Sequence, residues 1–295
     1  MDNGFNLVGI RETPGPGPVL RKAPWYRGMP LVSMLILGII LLGCLGCELF
    51  IPKDPTYLDL YHASHAPDGE FLFGTDTMGR DIFSMIWYGG RISLTIGFLA
   101  TAISTGIAIL FGAVSGLAPR WVDELLMRLT EIFLSIPSLL LILFIQAILG
   151  KATVISISVV IGLTSWTGIA KVVRTEVRQL RSSEYVVAAR AMGAGFFRIL
   201  RVHLTPNFLS GIMFMVVMNI RSAIGIESTL SFMGIGLPLE VISWGSMLSL
   251  SEKALSSGAW WIILIPGLFL VGTLLCITNI GSWLRNRLNK SQSNL

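Results

Sequence analysis

Six long apolar runs, separated by polar intervals, dominate this chain: Met29–Ile51, Ile92–Leu117, Leu125–Leu149, Thr153–Val173, Phe208–Phe232 and Ala259–Leu284. Each reaches the roughly 20 residues that a helix needs to cross about 30 Å of hydrocarbon. The runs are too long and too uniformly apolar for strands, and a helix satisfies its own backbone where no water is available. The pattern predicts an all-α membrane protein with six transmembrane helices: an N-terminal anchor helix and a core of five.

Composition agrees with the pattern. Of 295 residues, 53% are hydrophobic and only 13% charged, far from the balance of a soluble domain. With the N-terminus inside, sixteen Lys and Arg fall on the inner side against five outside, and Arg221 lies within a span. That bias predicts that both termini and the loop at Tyr185 are cytoplasmic. The net charge of +5 is then a signal of topology and not a nucleic-acid footprint. The first run is too long for a cleaved signal, and five more spans follow it. Leu41-Leu42-Gly43-Cys44 has the form of a lipoprotein processing box, and small residues packing within a helix is the preferred reading.

The longest polar interval on the inner side contains Tyr185–Asn207. Ser182 and Ser183 are good helix N-caps, and Glu184 suits the positive end of the helix dipole. Gly193 can take the left-handed conformation that stops a helix, and Pro206 is expected to end the next one. The helix between, Glu184 to Met192, is about 13 Å long. Its Ala188, Ala189 and Ala191 leave room for another surface to approach. A short, capped, rigid knob outside the membrane suits a soluble partner that pushes on the membrane part.

These residues resemble the cytoplasmic "EAA" loop of permease subunits in binding-protein-dependent ABC importers. Ala188, Ala189, Gly193 and Pro206 fall in register with that pattern, while Val187, His203 and Thr205 replace its Glu, Ile and Leu. The run Gly74–Asp81 has the spacing of a phosphate-binding loop, but Arg80 stands where Lys is needed and Asp81 would repel phosphate. Phe73 to Leu94 instead resembles a signature of the dipeptide, oligopeptide and nickel branch of these permeases. There, Gly turns and Asp–Arg pairing would shape the loop before the second span. Glu227–Gly236, Ser243–Leu248, Trp121–Arg128 and Ile136–Leu139 resemble further signatures of the branch, in the same order. The resemblance covers residues 70 to 285 and points to the "C"-type permease of the branch.

What this resemblance implies is an assembly. The partners would be a second related permease, two cytoplasmic ABC ATPases, an external solute-binding protein and the surrounding lipid. ATP and Mg would sit on the ATPases, and this chain would bind no cofactor and no metal. The cargo would be di- or oligopeptides, with nickel or a metal chelate as the alternative within the branch. The ATPase-coupling residues would be Glu184, Tyr185, Ala188, Ala189, Arg190, Gly193 and Ala194. The expected organisation is a cytoplasmic tail at 1–28, the anchor at 29–51 and an extracytoplasmic segment at 52–91. The permease domain at 92–285 follows, with its coupling loop at 174–207, and a cytoplasmic tail at 286–295 ends the chain.

Inside the spans, ionisable groups usually face a bundle interior or a water-filled path. Glu227, Ser231 and Arg221 are therefore candidates for a translocation path, with contact to a neighbouring helix or to the second permease as the structural reading. Glu227 and Arg221 stand about 240° apart around a helix and do not simply pair. Cys44 and Cys47 have redox spacing but sit in a span, and Cys276 is alone in another, so small buried residues are the better reading. His62 and His65, near Asp59, are a candidate metal pair or plain loop residues. No catalytic set emerges. Two other classes stay open: an ATP-independent secondary transporter, and a structural or signalling protein whose basic loop lies on anionic lipid.

Overall fold

The computed structural model describes residues 28–51, 53–250, 254 and 258–292, the last five by backbone alone. The expected tail at 1–28, save Gly28, lies outside the described residues, as does the end of the tail at 286–295. The described chain is all helix apart from loops and one isolated bridge between Thr75 and Asp81. We name the helices α1 (Leu31–Leu45), α2 (Ile82–Leu117), α3 (Arg120–Ser135), α4 (Ser138–Leu149) and α5 (Val154–Thr164). There follow α6 (Thr167–Leu180), α7 (Glu184–Ala191), the continuous α8 (Phe196–Phe232), α9 (Trp244–Leu248) and α10 (Trp261–Gln292).

Three helices, α2, α8 and α10, are each long and apolar enough to cross a membrane, and the bent pairs α3–α4 and α5–α6 bring the number to five. The expected six uninterrupted spans are thus redrawn in detail. The run Leu125–Leu149 is two helices meeting at 90°, because Ile136, held extended before Pro137, cannot continue a helix. The run Thr153–Val173 bends by 47° at Ser165-Trp166, where the Thr164 hydroxyl bonds back to the carbonyls of Val160 and Ile161. Helix α1 has 15 residues, about 22 Å at 1.5 Å per residue, before Gly46 breaks it and one further turn, Cys47–Phe50, follows. Helix α2 begins ten residues ahead of its apolar run, capped by Asp81, whose carboxylate accepts from the Ser84 amide at 2.9 Å.

Pro206 is a second correction, since it ends nothing. Six residues, Ile199–Leu204, wind as a π-helix, and Pro206 then falls in the first turn of the α-helical segment that starts at Thr205. A proline lacks only a donor that a first turn does not use. The wide turns therefore let one helix of 37 residues run through the proline.

The helices touch through small residues, as they must where lipid removes the hydrophobic drive to associate. A Cβ on Gly112 would meet the Ala170 carbonyl at 2.6 Å, and one on Gly116 would meet the Val177 side chain at 2.7 Å. That close seam joins α2 to α6. Gly43 and Cys44 pack likewise, against Trp87 and against Gly90 on α2, and Cys44 is buried. Residues 53–81 form a small lobe at one end of the bundle. Positive φ at Gly74 and Gly79 turns it, Arg80 pairs with Asp76 at 2.7 Å, and Trp261 Nε1 donates to the Thr75 carbonyl at 3.1 Å. The opposite end carries α7 and most of the arginines.

Candidate functional site

Helix α7 is built as a seated peg. Val186 and Ala189 are buried, and Val186 joins a core with Val173 and Val177 of α6 and Ile199, Leu200, Leu204 and Phe208 of α8. Glu184, Val187, Ala188 and Ala191 are exposed, and their i, i+3, i+4, i+7 spacing places them on one outward face. Met192 at 82% and Phe197 at 74% exposure extend this face with uncovered apolar surface. Arg190 is exposed beside it, and Tyr185 is exposed with its ring 6.2 Å from that of His203.

The ends of α7 are fixed by backbone. Gly193, at φ +82°, sends its N–H to the Arg190 carbonyl at 2.9 Å, and Ala194 sends its own to Ala189 at 3.0 Å. This pair of bonds is a Schellman stop, which a left-handed glycine makes without strain. At the other end Ser183 occupies the N-cap and its carbonyl accepts from Val186 and Val187. Its hydroxyl does not cap. It donates back to Leu180 at 2.6 Å, as Ser182 does to Gln179 at 3.3 Å. The expectation that both alanines greet another surface also needs dividing: Ala188 faces out, whereas Ala189 is turned into the chain.

Glu227 lies at the other end of the bundle, wholly buried. One carboxylate oxygen accepts from Ser243 at 2.8 Å and Ser231 at 3.0 Å, the other from Ser93 at 3.0 Å and Ser228 at 3.3 Å. Ser93 in turn accepts from the Trp244 amide at 3.2 Å, and Trp244 Nε1 donates to the Ile86 carbonyl at 2.9 Å. The cluster ties α2, α8 and α9 into one knot. Ser231 also borders a cleft of about 580 Å³ with Lys151, Phe232, Gly236 and Leu239. Glu227 does not line that cleft. Arg221, half-buried on a different side of α8, does not join Glu227, and its Nε is enclosed with no hydrogen-bond partner among the described residues. The candidates for a path therefore fall in two environments: Glu227 and Ser231 together in the knot, where Ser231 also borders the cleft, and Arg221 apart from both.

Sequence reasoning named Ser231 beside Glu227 but missed Ser93, Ser228 and Ser243 as its partners, although polar residues recurring inside apolar runs signal a buried polar partner. It also missed Asp123, buried on α3 and paired with Arg174 and Arg178 of α6. The signal there is a pair of arginines one helical turn apart. In the lobe, Asp59 accepts from the His62 ring at 2.7 Å, and His65 turns to the Ala66 carbonyl at 3.0 Å. Among the described residues no three His, Cys, Asp or Glu converge as metal ligands.

Comparison with known proteins shows a transport component. The chain belongs to the family of binding-protein-dependent transport system inner membrane components, which it matches over residues 108–291. It is a multi-pass permease component of an ABC importer, a family of transport subunits and not of enzymes. It is 33% identical to the oligopeptide transport system permease protein OppC of Bacillus subtilis (strain 168), over 88% of this chain and 85% of that protein. It is 35% identical to the dipeptide transport system permease protein DppC of the same organism, over 76% of this chain and 69% of that one. Among solved structures, an inward-facing MetNI methionine ABC transporter shares the fold, with a TM-score of 0.53 and 18% identity over 70% of this chain and 95% of that one.

Proposed function

We propose that this chain is one of two transmembrane subunits of an ATP-driven importer of di- or oligopeptides. The observation that carries the reading is α7, locked at its C-terminal end and rooted through Val186 and Ala189, with Glu184, Val187, Ala188 and Ala191 left outward. Such a peg cannot bend away from a push, so load placed on it passes into α6 and α8. Kinship with OppC and DppC supports peptides as cargo.

In this reading the ends bearing α7 and the chain termini are cytoplasmic and the lobe is outside. The six crossings are α1 with its following turn, α2, α3–α4, α5–α6, α8 and α10. The anchor at 29–51 and the segment at 52–91 precede a permease domain at 92–285. A cytoplasmic ATPase grips the outward face of α7. Tyr185 and Arg190 flank that contact, while Ala189, Gly193 and Ala194 hold the peg's shape. ATP and Mg reside on the ATPases. ATP binding and a loaded binding protein each stabilise one of two states of the bundle, since neither drives a change without such a preference. The Glu227 knot holds one end of the bundle together, which leaves Ser231 at the outer cleft and Arg221 as the candidates for contact with solute or with the second permease.

The test is uptake of labelled peptides into liposomes that carry the complete transporter, its ATPases and its binding protein. ATP-dependent uptake is expected, together with disulfide trapping of Ala188→Cys to an ATPase and loss of uptake in Gly193→Pro. Uptake by the chain alone, driven by an ion gradient, overturns the reading.

A further inference from the structure

Asp123 has a place in the molecule that α7 alone does not explain. It lies in the first turn of α3, its side chain only 5% exposed. Arg174 reaches it with two donors, Nε to one oxygen and Nη2 to the other, each at 2.5 Å. Arg178, one turn further along α6, adds a third contact at 3.3 Å, and Ser115 of α2 donates at 2.5 Å. Arg181, at the end of α6, reaches the Gly116 carbonyl of α2 at 3.3 Å. One carboxylate thus joins three helices, and paired donors on both oxygens fix direction as well as distance.

The helices concerned matter more than the pair itself. Helix α6 runs straight into the loop that carries α7 and is pressed on α2 at Gly112 and Gly116. Away from this clamp, Trp121, Leu125, Leu129 and Ile132 of α3 are exposed, and Phe133 meets Trp166 edge-on with ring centroids 5.8 Å apart. Beyond it, the 90° bend leads into α4. Without Asp123, α6 holds the α3–α4 elbow only through apolar contact, such as Phe133 against Trp166, and through no directional bond among the described residues. We propose that Asp123 is a positioning residue for transport, the clamp through which displacement of α7 and α6 reaches α3 and α4. The inference rests on the coupling role proposed above for α7.

The test uses the complete transporter in liposomes, with spin labels at Leu129→Cys on α3 and Thr175→Cys on α6. Both positions are exposed, and the native cysteines are buried. In the otherwise wild-type chain the label distance should stay narrow with and without ATP. In Asp123→Ala and in Arg174→Lys, which keeps the charge but loses the fork, it should broaden. Peptide uptake per ATP hydrolysed should fall at least tenfold while basal hydrolysis stays within twofold. Unchanged uptake per ATP, or an unbroadened distance in Arg174→Lys, overturns the clamp. Should Asp123→Ala not assemble, Arg174→Lys carries both readouts. Absence of ATP-dependent uptake in the wild type counts against the importer reading instead, and the label distances then decide the clamp by themselves.

Discussion

Replacing Glu227 separates a structural knot from a solute contact. In Glu227→Ala four buried hydroxyls lose their acceptor. Ser228 lies on α8 and can turn to the carbonyl one turn earlier, as helical serines commonly do. Ser93, Ser231 and Ser243 are less free, because each already accepts a backbone amide, from Trp244, Leu237 and Ser246 respectively. Three stranded donors at about 1–3 kcal/mol apiece give a loss of roughly 3–9 kcal/mol. Glu227→Gln keeps the shape and one acceptor oxygen, and its amide can donate to hydroxyls that turn round. Its cost should be about 1 kcal/mol.

The assay is thermal unfolding of the purified chain in detergent, followed by tryptophan fluorescence, beside peptide uptake by the reconstituted transporter. At about 2–4 °C per kcal/mol, Glu227→Ala should lower the midpoint by roughly 6–36 °C and Glu227→Gln by only a few degrees. Adding Ser243→Ala to Glu227→Ala should cost less than the sum of the two, since it removes one orphaned donor. An alanine variant that unfolds within 2 °C of wild type yet has lost uptake refutes the knot, and Glu227 then belongs to the solute's path.

Three further expectations follow from the same structure. Gly112→Leu drives a side chain into the α2–α6 seam, where even a Cβ would meet the Ala170 carbonyl at 2.6 Å and Val173 at 2.8 Å; it should cost about 1–3 kcal/mol in the same unfolding assay. Val187→Arg, on the outward face of α7, should leave the unfolding midpoint unchanged and weaken co-purification of an ATPase at least tenfold, whereas Val186→Arg, on the buried face, should prevent folding. Equal effects of the two would contradict the orientation of α7. In the lobe, backbone amides of Phe71 and then Glu70 hold the Asp68 carboxyl below its ordinary 3.8. A depressed folded value stabilises the lobe above pH 3.8 and releases it as pH falls through the lower folded value. Hydrogen exchange at Phe71 should quicken in that window and show no such step in Asp68→Asn.

The apolar runs made the helices legible but not their limits. Counting apolar residues missed the first ten residues of α2, because Ile82–Arg91 mixes polar and apolar positions. Pro137 made the α3–α4 break readable. Nothing in Ser165-Trp166 did so for α5–α6, where hydroxyls compete with the backbone inside an otherwise helical stretch. The position of α7 was readable from Gly193 alone. Its orientation was not, because Ala188 and Ala189 are alike in sequence and are separated only by what Val186 packs against. Pro206 misled for a related reason: a proline forbids only a donor, and π turns can move the place where that donor is needed. The clamp was least legible of all, since its two sides lie 51 residues apart and meet only once α2 and α6 are packed.

The Glu227 knot and the Asp123 clamp share a helix. Ser93 enters the Glu227 knot and Ser115 the Asp123 clamp, both from the single helix α2. Twenty-two residues separate them, about 33 Å along a helix, close to the roughly 30 Å of a hydrocarbon core. Each tie therefore falls near an edge of the apolar layer, where charged and strongly polar groups cost least to hold. Between them α2 accepts one more polar bond, at Ser104 from Asn219 of α8 at 2.5 Å, and otherwise packs closely at Gly97, Ala100 and Gly112. A helix fixed by directional bonds at both ends and by close contact along its length behaves as a stiff strut. In the importer reading proposed above, movement delivered at the α7 end would reach α9 and the lobe as a displacement of the whole strut, without bending α2 in the middle.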